Sequence, residues 1–201
     1  MQVSKQQVER FLELVRGLTL TGDSLESAIR ANAEAAREAA LNCFAVRLPT
    51  DPSGVQALDE LLNAMHTAVR PRFAGRLRRR SISAQDISAV SASLGAHLCE
   101  LVRPRMRGEW GFAEFEGERQ AVLILAPGNL MAVPQKAGKQ FANGKADSVR
   151  FFFGIAAAFA QARVQYANMS PEERLALKEK MAAYKERMRE RKLRAKADKK
   201  T

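Results

Sequence analysis

Gly108-Glu109-Trp110-Gly111-Phe112-Ala113-Glu114-Phe115, continued through Glu116-Gly117-Glu118 into Arg119-Gln120-Ala121-Val122-Leu123-Ile124-Leu125, reads as sheet in a chain otherwise patterned for helix. Aromatic and β-branched residues gather on either side of a glycine flanked by acids, the pattern of a β-hairpin with its turn at Glu116–Glu118. Pro127-Gly128-Asn129 marks a second turn, and Leu130-Met131-Ala132-Val133 supplies material for a third strand. A small antiparallel sheet over about 109–134, set among amphipathic helices, makes the fold class α+β and predominantly helical.

Upstream, Val8, Phe11, Leu12, Val15 and Leu18 recur at helical spacing over about 4–20. Asp23 with Glu26 suggests the capped start of an alanine-rich helix over about 24–46. After the Pro49, Pro52 and Gly54 loop, Leu58, Leu61, Leu62, Met65 and Val69 share a face, and Pro71 forces a kink or break. Ser83 and Asp86 form a further capping pattern. Ile87, Val90, Leu94, Leu98, Leu101 and Val102 then line one helix, which Pro104 is expected to end. Gly95 within it costs about 1 kcal/mol relative to alanine, so a close approach by another element is expected there, with the ring of Trp110 as candidate.

Downstream, Pro134 opens a short helix towards Asn143-Gly144. Asp147 or Ser148 caps an apolar helix at 149–167, whose run from Phe151 to Ala160 is too short to span a bilayer and reads as buried. Ser170-Pro171-Glu172-Glu173 is a helix start: an N-cap serine, proline in the first turn and acids at the positive end. The last helix runs to about residue 195, with disorder beyond. The expected organisation is one helix-rich domain, 1–168, and a basic helical tail, 169–201.

Net charge is +11, unevenly spread. Residues 1–69 carry six basic and nine acidic side chains, 70–108 nine and two, 109–169 six and five, and 170–201 twelve and six. Cation excess in one internal segment and in the tail favours a polyanionic partner. Arg72, Arg76, Arg79 and Arg80 form a stripe if their segment is helical. Arg103, Arg105 and Arg107 would share one face if extended. In the tail, Lys185, Arg187, Arg189, Arg191, Lys192 and Arg194 surround a narrow seam of Leu177, Met181, Tyr184 and Met188, spaced 4, 3, 4. Guanidinium groups bind phosphate bidentately, so these clusters point to nucleic acid. Ordinary helix-end charge is the structural alternative, and the seam could equally hold an acidic protein partner.

Nothing in the pattern asks for catalysis, a metal or a cofactor. His66 and His97 sit among apolar helical residues. His97 and Cys99, two apart, face different sides of a helix. The two cysteines, Cys43 and Cys99, form no CxxC pair and suit a reducing, cytoplasmic compartment. Neither a signal peptide nor a transmembrane span is evident, and GxxxxGK[ST] and GxGxxG are both absent. The sequence does not determine oligomeric state.

Leu94-Gly95-Ala96-His97-Leu98-Cys99-Glu100, then Gly108-Glu109-Trp110, then the hairpin and Pro134, resembles a group of small, functionally uncharacterised bacterial α+β proteins. In these a Gly-Ala-x-Leu helix precedes a Gly-x-Trp hairpin. The resemblance covers about residues 86–160 and departs at Cys99 and in the long basic tail. It implies a helix–hairpin–helix arrangement and carries no activity or site residues. The resulting expectation is a non-enzymatic protein that binds a polyanion. The alternative is an adaptor, chaperone or immunity-type protein that uses the tail seam or the hairpin edge.

Overall fold

The computed structural model describes residues 1–21, 24–70, 82–106, 108–115, 117–126 and 129–197. It is predominantly helical with one three-stranded antiparallel sheet, as the sequence pattern predicts. Two compact units occur, Met1–Ala157 and Ala158–Thr201. The division falls inside a continuous helix and not after its last residue.

Helix α1 (Lys5–Val15) opens with a full capping box: Ser4 Oγ accepts from the Gln7 amide and Gln7 Oε1 from the Ser4 amide. Val8, Phe11, Leu12 and Val15 are buried. Helix α2 (Leu25–Phe44) is capped by Ser24, whose Oγ accepts from the Ser27 amide at 3.4 Å. Asp23, the expected cap, lies outside the described residues. Alanines 33, 36, 39 and 40 give α2 a flat buried side. Helix α3 (Gly54–Val69) buries Leu58, Leu61, Leu62 and Met65 and stops at Arg70, which is extended. That is the conformation imposed on a residue preceding proline.

One expected helix is two. Helix α4 (Ala84–Ala92) stops at Ser93, and α5 (Leu94–Met106) starts anew. Ser93 Oγ donates to Ala89 O at 2.7 Å, a back-bond that bends helices. The Asn32 amide nitrogen donates to the Ala92 carbonyl at 3.1 Å and to Thr19 O at 2.9 Å, so a side chain from α2 satisfies a carbonyl at the break. Pro104 does not end α5, which continues to Met106. Its missing donor falls in the final turn, where the helix is about to stop and the disruption is least. Gly95 packs against Pro134 and not Trp110; a Cβ there would come within 2.8 Å of Pro134 Cα. The core centres on α5, which packs on α2 and on α6 (Val133–Asn143).

The sheet runs β1 (Glu109–Phe115), β2 (Glu118–Ala126), β3 (Asn129–Met131), in that spatial order. Its register pairs Trp110 with Leu123, Phe112 with Ala121 and Glu114 with Arg119. After α6, a 3-10 turn (Gly144–Asp147) leads to α7 (Val149–Asn168). The start of α7 is pinned by Asp59: its carboxylate accepts from Ser148 Oγ at 2.6 Å and from the Arg150 amide at 3.2 Å.

The expectation that α7 is buried fails for part of its length. Val149 and Ala156 are buried, but Phe151 is 72% exposed and Ile155 40%. Apolar content permits burial on any side of a helix, and Val149 and Ala156, seven residues apart, lie on one side of α7. Helix α8 (Pro171–Ala197) begins with a second capping box, between Ser170 and Glu173, as the start signal predicts. No described helix is long and apolar enough to cross a membrane.

Candidate anion interface and the groove beside β1

Only some of the basic residues expected from the sequence fall among the described residues. Arg72, Arg76, Arg79, Arg80 and Arg107 lie outside the described residues. Arg103 and Arg105, expected to share an extended face, are helical, and two helical steps of about 100° place them on opposite sides of α5. Arg103 donates to the Glu26 carboxylate on α2, and Arg30 stands 3.6 Å from the same oxygen. Hydrogen bonding from Arg103 holds the Glu26 carboxyl below its ordinary pKa. Arg105 instead lies over the Phe153 ring of α7 at 5.1 Å, while Lys136 covers Phe152 at 5.4 Å.

Lys185, Arg187, Arg189, Arg191, Lys192 and Arg194 all fall on α8. At 27 residues α8 is about 40 Å long. Its first turn carries Glu172 and Glu173, whereas residues 187–196 hold six basic side chains and one acidic. Arg187 is exposed, and its Nε donates to Ala183 O at 3.3 Å. Of the seam, Leu177 is partly covered and Tyr184 is 56% exposed. Met181 and Met188 are placed on the helix by their backbone alone.

The histidines and cysteines are held inside unit 1. His66 Nδ1 lies 2.9 Å from the Phe141 carbonyl, and its ring fills the space left by Gly144. His97 is fully buried, and among the described residues neither ring nitrogen has a well-formed hydrogen bond, although the Pro49 carbonyl is near enough to act on the ring. Its pKa is lowered to about 4, first by burial and then by the Arg37 charge; the Pro49 carbonyl offsets part of this. Burial raises the Cys99 thiol pKa well above its ordinary value and also raises that of Cys43. Thiols so placed stay protonated and are poor nucleophiles. Among the described residues no cluster of His, Cys, Asp and Glu could hold a metal ion.

A feature that sequence reading missed lies beside β1. A cleft of about 590 Å³ separates the strand from the start of α2, lined by Ser24, Glu26, Arg103, Trp110, Phe112 and Arg119. A second cavity, about 170 Å³, shares Glu26, Arg103 and Trp110 and continues past Arg30 and Glu100. Arg119 stacks on Phe112 with its guanidinium carbon 4.2 Å from the ring centroid. Placing the turn at Gly117 would have matched Glu114 with Arg119 from sequence alone, and the alternation of Trp110 and Phe112 was equally visible. The α2 wall of the cleft carried no local signal. Comparison with protein families, curated proteins and solved structures finds no match for this chain.

Proposed function

We propose that this chain is a non-enzymatic, cytoplasmic binding protein that engages a polyanion, nucleic acid foremost, through α8 together with Arg72, Arg76, Arg79 and Arg80. The observation that carries the reading is the continuity of α8. One uninterrupted helix gathers six basic residues against a single acid over positions 187–196. Neutralising several phosphates along such a rod releases condensed counterions and makes affinity fall steeply with salt. Contacts of this kind position a protein on a backbone and read little sequence. Free, buried Cys43 and Cys99 support the reducing compartment.

Fluorescence polarisation with labelled single- and double-stranded DNA and RNA, between about 50 and 200 mM salt, tests the reading. The full chain should bind with strong salt dependence, and a version ending at Asn168 should lose most of that binding. Absence of binding by either form at low salt sinks it.

A second reading, an adaptor, chaperone or immunity-type protein, draws on the exposed Tyr184 ring in the seam. Under that reading Tyr184→Asp abolishes partner binding, and salt has little effect.

A further inference from the structure

Among the described residues β1 is an edge of the sheet, with β2 as its neighbour in the strand order. An edge strand leaves alternate N–H and C=O groups pointing outward in the sheet plane. Water or another extended backbone satisfies them, and the latter is the basis of strand addition. The groove described above runs along this edge, and Trp110 and Phe112, both half-buried, alternate on one face of the strand. A groove of that form has an aromatic floor and an in-plane hydrogen-bonding wall.

The charges select the occupant. The two connected cavities are lined by Arg30, Arg103 and Arg119 and by Glu26, Glu100 and Glu109. Three of each sign make a poor seat for a polyanion and a suitable one for a chain carrying both signs. Four of the six already have partners: Arg30 and Arg103 share Glu26, and Arg37 holds Glu100 at 2.7 Å. Among the described residues Glu109 and Arg119 make no ion pair. Glu109 stands at the start of β1, and Arg119 reaches from β2 over the Phe112 ring of β1. The two charges therefore stand about three strand positions, or about 10 Å, apart along β1. Three is an odd number, so Glu109 and the Phe112 side that carries Arg119 belong to opposite faces of the sheet.

We propose that the β1 edge takes up an extended peptide segment of a partner protein as an added strand. The segment carries a cationic residue beside Glu109 and, an odd number of positions away, an acidic residue beside Arg119. Apolar side chains between them rest on Trp110 and Phe112. This site is separate from α8 and does not depend on the polyanion reading.

The test uses the full chain and labelled octapeptides of alternating valine and threonine, with lysine and glutamate about three positions apart, in both orders. One order binds saturably. Arg119→Glu, a change at an exposed side chain, weakens that peptide about tenfold. Replacing the peptide's glutamate by lysine restores affinity for Arg119→Glu, and N-methylation of alternate peptide amides abolishes binding. The proposal is overturned if neither order binds by about 1 mM, or if binding ignores both Arg119→Glu and N-methylation. Displacement of the peptide by single-stranded RNA that itself loses affinity on Arg119→Glu also overturns it, and transfers the groove to the polyanion.

Discussion

His97 makes the fold sensitive to acid. Its ring is fully buried without a well-formed hydrogen bond among the described residues, and burial is the main cause of a pKa near 4. In the unfolded chain the ring titrates near 6.5. Well above pH 6.5 both states hold it neutral and nothing is lost. As pH falls from 6.5 towards 4 the unfolded state takes up a proton that the folded state refuses, so stability declines. Between pH 6.5 and 5, before most carboxylates titrate, the loss should be about 2 kcal/mol. Urea denaturation across that interval checks it, and His97→Leu should flatten the profile. Gly95 answers to geometry instead. Helix propensity alone favours Gly95→Ala by about 1 kcal/mol, but the new Cβ would meet backbone atoms of Pro134. Overpacking against backbone outweighs propensity, and Gly95→Ala should destabilise by about 2 kcal/mol, read as a lower denaturation midpoint.

At the scale of elements, the break between α4 and α5 is built by a residue from a third helix. Asn32 donates to both Thr19 O and Ala92 O. Asn32→Ala leaves the buried Ala92 carbonyl without this donor, a loss of about 2 kcal/mol. The denaturation midpoint should fall with an unchanged slope. This break was not legible in the sequence: Ile87 to Val102 keeps helical spacing across Ser93, and the donor comes from a distant position. Pro104 misled in the opposite direction, because a local rule says nothing of how close the helix already is to its end. Local signals that act within four residues were read correctly, among them Ser83 with Asp86, Ser170 with Glu173, and the hairpin turn at Gly117. Burial of α7 was not, since Phe151 and Ile155 satisfy every apolar pattern and still face outward.

At the scale of the whole molecule, charge and packing are distributed differently. The core packing among α1 to α6 and the sheet lies within Met1–Ala157, whereas residues 170–201 hold twelve of the basic residues and supply more than half of the net +11. The tail was legible because its start signal and its charge are both local. The groove beside β1 was not, because Arg103 meets Glu26 across 77 positions. Ending the chain at Asn168 should therefore separate the two properties. Thermal unfolding of the shortened chain should match that of the full chain within a few degrees, because none of the described side chains of α8 is buried. Its nucleic-acid affinity at low salt should collapse. Each phosphate contact adds about −0.9 to the slope of log affinity against log salt on duplex DNA, so the full chain should be steeper by about 3 or more if α8 neutralises at least four phosphates. Equal slopes for the two forms would move the cationic contact off α8 and onto unit 1. A shared loss of stability would instead assign α8 a structural role, and either result would withdraw the tail from the binding mechanism.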